Sequence, residues 1–190
     1  MPSQVNSQLE EVAGLLKDSI QKIFLKEGVF PFEDQVKIEK RHIIEYERRM
    51  RASSVDKFNA PAYTAAANFF RTAADRQSQN AVGVIILSLK EGSEIIIKRA
   101  GIQGFDEDDH AVVSEKSAEL CAKIGNGFKG ALAAAGFPSL ILSEPVHHRN
   151  NLSQGVEFPY DQYEEFLISF QLKGQPALVV ELSMANLPRN

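Results

Sequence analysis

Apolar residues recur at three-to-four spacing through Leu9, Val12, Leu15, Leu16, Ile20, Ile23 and Phe24, which predicts an amphipathic helix over residues 3–26. Glu10, Glu11, Lys17, Asp18 and Lys22 form its other face, and Gly28 and Pro31 end it. From Gln35 to Met50 the period changes to two. Val36, Ile38, Lys40, His42, Ile44 and Tyr46 alternate with Lys37, Glu39, Arg41, Ile43, Glu45 and Glu47, which favours a half-exposed strand over a charged helix. Asn59 as a cap, Pro61 in the first turn and an apolar face of alanines with Phe69 and Phe70 predict a second helix over residues 60–76. Two strands, 82–89 and 94–99, follow as a hairpin about Gly92. The longest helix begins near the acidic residues 106–109 and ends at Ala135, before Gly136 and Pro138. Beyond it the patterns are extended, over 139–142, 155–158, 165–172 and 177–184, with a turn at Gly174 joining the last two. About three helices and six strands, with hairpins rather than strict βαβ alternation, predict an α/β (α+β) fold. Its mixed, mainly antiparallel sheet would carry the long helices packed on it.

Composition narrows the function. The 190 residues are 44% hydrophobic and 24% charged, as in soluble globular proteins, and the formal charge is −4. No basic field draws the chain onto nucleic acid or an anionic membrane. One cysteine excludes an intrachain disulfide framework and any multi-cysteine metal site; mid-helix beside Leu120, Cys121 reads as an inert buried thiol. No basic segment leads into an apolar core at the N-terminus, and the longest apolar run, 82–89, falls far short of the roughly 20 residues of a membrane helix. A cytoplasmic protein is expected. Arg48, Arg49 and Arg51 lie close to four acidic residues between Glu33 and Glu45, so they read as a solvated, charge-mixed face rather than an anion site. No nucleotide, P-loop, nucleophile-elbow or zincin motif is present. His147 and His148 would point to opposite faces of a strand, with His42 and His110 scattered, so neither metal nor cofactor is expected.

The segment 117–132 holds the densest signal. On a helix, Glu119, Lys123, Asn126 and Gly130 fall along one polar stripe, while Leu120, Ile124, Ala131 and Ala135 follow an apolar one. Glu119 and Lys123 are spaced for an i,i+4 ion pair. Gly125, Gly127 and Gly130 each cost roughly 1 kcal/mol against alanine inside a helix. Close approach to a sheet or helix explains them structurally; room beside Asn126 for a partner's backbone explains Gly127 and Gly130 functionally.

Ile124-Gly125-Asn126 with Gly130 resembles the central helix of the CheC/CheX/FliY group of chemotaxis phosphatases. The setting is similar too: a hairpin precedes, Leu142-Ser143-Glu144-Pro145 follows in the place of the family's Ser-Leu-Pro, and a closing hairpin comes last. The likeness covers residues 80–187 best and the helical N-terminal part, 1–79, only loosely; the whole of 1–190 would be one CheX-like domain. The resemblance implies hydrolysis of the aspartyl phosphate on a response-regulator receiver domain in two-component signalling. Asn126 would position the attacking water, and Glu119, Lys123, Gly127 and Gly130 would face the partner. Lys123 stands where the family has a glutamate that contacts the receiver's active-site lysine. That charge reversal predicts a weak or absent phosphatase activity. A non-catalytic, dimeric interaction module on the same fold is the alternative, and the family implies homodimers made by joining sheets.

Overall fold

Two long helices lie on one face of an antiparallel sheet in the computed structural model, which describes residues 3–28, 31–33, 35–150, 154–159 and 161–189. The helices are α1 (Ser3–Lys26) and α4 (His110–Ala134), with two short helices, α2 (Ala73–Gln77) and α3 (Ile95–Arg99). The large sheet runs in the order β1 (Lys37–His42), β8 (Glu164–Leu172), β9 (Gln175–Met184), β5 (Gly83–Lys90), β4 (Ala62–Phe70) and β6 (Ile141–Leu142). β7 (Val146–Arg149) also pairs with β4, and every pairing between described strands is antiparallel. A small hairpin of β2 (Glu45–Tyr46) and β3 (Arg49–Met50) lies apart from this sheet.

The alternation read in residues 35–50 emerges as β1 to β3. Two other expectations are corrected. Residues 60–76 do not form a helix: 62–70 are the central strand β4. Tyr63, Ala65, Ala67 and Phe69 pack toward the helices, while Ala62 and Ala66 pack on the opposite side. A strand buried on both faces loses its polar alternation, and its alanines then look like a helix. A capping box between Thr72 and Asp75 starts α2 only after the strand ends. Residues 94–99 are not the second strand of a hairpin but α3. Glu94 accepts a hydrogen bond from the Gly92 N–H at 2.9 Å, and Ile96, Ile97 and Ala100 turn into the main core. Six residues with three isoleucines hold too little periodicity to separate strand from helix.

α4 is seated by Leu120, Cys121, Ile124, Phe128 and Leu132, all fully buried; the Phe128 ring meets Phe69 edge-on at 5.6 Å. A Cβ on Gly125 would lie 2.8 Å from Leu142 Cδ2, so this glycine lets the helix approach the sheet. The opposite face of the sheet is covered by Met50, Ala52, Val156, Phe158 and a turn at Ser54–Lys57. Two carboxyl groups are buried there. Glu181 accepts from the N–H groups of Ser53 and Ser54 at 2.9–3.1 Å and from both serine hydroxyls. Burial, and then the negative charge of Glu181, hold the Glu165 carboxyl far above its ordinary pKa, so it keeps its proton.

Candidate functional site

Asp109 caps α4, its carboxylate accepting from the N–H groups of Ala111 and Val112 at 3.1 and 3.2 Å. Just after the helix begins, Tyr63 bonds His110 Nδ1 at 2.7 Å and Ser114 bonds His147 Nδ1 at 2.9 Å, tying α4 to β4 and β7. His148 lies on the other side of β7, exposed. Four turns further along, Asn126 is exposed, and among the described residues its amide has no hydrogen-bond partner. It opens onto a cleft of about 420 Å³ lined by Arg76, Ala122, Lys129 and residues 140–145. The far wall is firmly set. β6 pairs with the end of β4, and the Ser143 N–H donates to the Asn68 carbonyl at 2.9 Å. In return the Asn68 N–H donates to the Ser143 hydroxyl at 2.9 Å.

The polar stripe does not act as one surface. Glu119 is exposed, but its ion pair is with Lys116; the pair expected between Glu119 and Lys123 is not formed. Lys123 is held on the opposite flank of α4 from the cleft. Its ammonium donates to the Ala100 carbonyl and lies 3.4 Å from Glu27 at the end of α1. Gly127 and Gly130 are exposed on this same α1 flank, along a groove of about 340 Å³ against Ser19, Lys22 and Ile23 of α1. A Cβ on Gly130 would meet nothing within 4 Å, and one on Gly127 only Ile23 at 3.7 Å. Internal packing therefore accounts for Gly125 and not for these two.

No family model and no curated protein matches the sequence. Solved structures do match the fold. CheX from Desulfovibrio desulfuricans is 14% identical, with 92% of this chain and 99% of that one covered and a TM-score of 0.57. FliY from Thermotoga maritima is 10% identical, with 98% and 93% covered and a TM-score of 0.57. A chain of the CheX–CheY–BeF3–Mg complex from Borrelia burgdorferi is 11% identical, with 92% and 97% covered and a TM-score of 0.54. This is the CheC/CheX/FliY fold.

On this CheX-type fold the chemistry at hand is that of a neutral amide beside charged groups. An unpartnered amide can donate to and accept from one water at once. Burial pushes the Cys121 thiol up to about 12, which leaves no thiolate nucleophile. Among the described residues, no three histidine, cysteine, aspartate or glutamate side chains converge where a cation could sit. The stripe was legible in the sequence; Arg76, Lys129 and Glu144 as cleft residues were not. Lys129 could have been found from its i+3 spacing to Asn126. Glu144 lay in the Ser-Glu-Pro segment already noted, and Arg76 was hidden in the mistaken helix.

Proposed function

We propose that this CheX-type domain acts in the cytoplasm, binding a response-regulator receiver through α4 and slowly hydrolysing its aspartyl phosphate. The observation that carries this is the exposed Asn126 amide, unpartnered among the described residues, at an open cleft of a fold shared with a chain of a CheX–CheY complex. Asn126 holds a water in line with the phosphorus. The water oxygen bonds to phosphorus as the bond to the aspartyl oxygen breaks, releasing inorganic phosphate and the free carboxylate. One positioned amide aligns the nucleophile without changing its basicity, so the rate gain is entropic and modest. Phosphate release from a CheY receiver charged with acetyl phosphate tests this. The domain accelerates release, and Asn126→Ala lowers that acceleration by about ten- to a hundredfold. No acceleration by the intact domain overturns the phosphatase reading.

The second reading, a non-catalytic dimeric module, draws on Lys123: the family's acid is absent and its replacement is tied to Ala100 and Glu27. Such a module joins sheets through the β6–β7 edge. The β1 edge carries Lys37, Glu39, Lys40, Arg41 and His42, and charge of that density opposes strand pairing. Receiver binding without phosphate release, by a dimer in sedimentation, distinguishes it.

A further inference from the structure

The Asn126 cleft carries charges that the chain itself does not use. Arg76 is exposed at the end of α2, Lys129 lies three residues after Asn126 on α4, and Glu144 is exposed on the opposite wall. Among the described residues, none of the three has an ion pair or a side-chain hydrogen bond. Some charges elsewhere are matched, Arg149 with Glu91, Lys98 with Glu107, Lys116 with Glu119 and Lys123 with Glu27, while Lys22, Arg48, Lys90 and Lys173 form no ion pair among the described residues. The backbones that bear the free charges are nevertheless fixed. The two Asn68–Ser143 hydrogen bonds pin the residue before Glu144, and the Thr72–Asp75 capping box sets α2. Arg76, Ser143 and Glu144 also form the wall of a second depression, of about 250 Å³, on the far side of the cleft. Free head groups on a fixed frame are arranged for a partner, since little of the frame must be ordered on binding.

We infer that Arg76, Lys129 and Glu144 determine the specificity of this cleft: the two cations receive the partner's phosphoryl group and carboxylates, and Glu144 receives an ammonium beside them. The inference rests on the receiver reading above and adds to it the residues that select the partner. It also relocates the acid. Lys123 lies on the other flank of α4, so its reversed charge does not enter the cleft, and Glu144 supplies the negative charge from a separate segment of chain.

The test is titration of a CheY receiver, charged with beryllofluoride and Mg2+, into the full chain at low and moderate salt. All the substituted side chains are at least partly exposed, and matched unfolding midpoints confirm folding. Glu144→Lys weakens Kd by at least about tenfold, and Glu144→Gln by several-fold. Arg76→Gln combined with Lys129→Gln weakens Kd by about tenfold and flattens its salt dependence. Lys123→Gln changes Kd by less than about twofold. Loss of binding in Lys123→Gln with Glu144→Lys unaffected overturns the inference, because the charge contact then lies on the α1 flank, while the receiver reading stands. Failure of the unaltered chain to bind any CheY overturns both.

Discussion

On the sheet face away from the long helices, Glu165 and Glu181 are buried, and Ser53 and Ser54 turn two N–H groups and two hydroxyls onto Glu181. On the helix side, at the Asn126 cleft, the Arg76, Lys129 and Glu144 side chains have no ion pair or hydrogen bond among the described residues. Solvent explains how both can exist in one molecule. A buried carboxylate without donors is too costly to persist, so the fold closes around it. An exposed charge is held by water at almost no cost, so the fold can leave it for a partner. The buried face therefore reports on stability and the cleft on recognition, and substitutions should separate along that line.

The largest expected effect is at the buried face. Glu181→Ala leaves the Ser53 and Ser54 N–H groups without an acceptor, while their hydroxyls keep Glu165 and Ser88, and should destabilise the domain by about 3–5 kcal/mol, read by denaturant unfolding. A loss below about 1 kcal/mol would place water in that network and break the contrast.

Glu165→Gln should come next, with the opposite sign at alkaline pH. Its carboxyl is raised to about 9 in the folded chain, so between the ordinary carboxylate range and about pH 9 the folded state holds a proton that the unfolded state releases. Stability contributed by this group is full below the ordinary range and declines as pH rises through the window, by up to about 1.4 kcal/mol per unit. Glutamine removes the decline, so the variant gains on the parent from pH 6 to pH 8. Parallel stability–pH curves would mean that the folded Glu165 carboxyl does not hold its proton.

The glycines of α4 sharpen the comparison at smaller magnitude. Gly125→Ala presses on Leu142 and Ile85 and should cost about 1–2 kcal/mol. Gly130→Ala meets nothing and should stabilise by roughly 1 kcal/mol, as helix propensity predicts. If Gly130→Ala also weakens receiver binding, the open position serves a partner's close approach. Smallest of all, Glu144→Gln should leave the unfolding midpoint unchanged within about 0.5 kcal/mol while lowering receiver affinity.

Legibility differed from element to element. The stripes of α1 and α4, and the hydrophobic runs of β5, β8 and β9, repeat over enough residues for the period to be unambiguous. β4 was misread because burial on both faces removed its alternation, and α3 because six residues cannot display a helical period. β7 escaped notice because its short, charged sequence, VHHR, has no apolar repeat; its place on β4 depends on the strand it finds there. At the site, Asn126 was legible as part of an outward stripe. The fate of its neighbours was not, since Glu119 and Lys123 satisfied the same i,i+4 rule and chose other partners.

Local order therefore determined which residues of α4 turn outward, because a helix has one period and its faces follow from spacing alone. It determined equally that the chain had enough apolar patterning to build a helix-on-sheet core. Only the tertiary structure decided which charges were spent inside the molecule. Lys123 reaches Ala100 and Glu27, while Arg76, Lys129 and Glu144 converge around Asn126 from three separate stretches of chain. The physical reason is reach. A side chain's direction is set by its own backbone, but the group it meets is set by elements far away in sequence, packed there to bury apolar surface rather than to arrange charge.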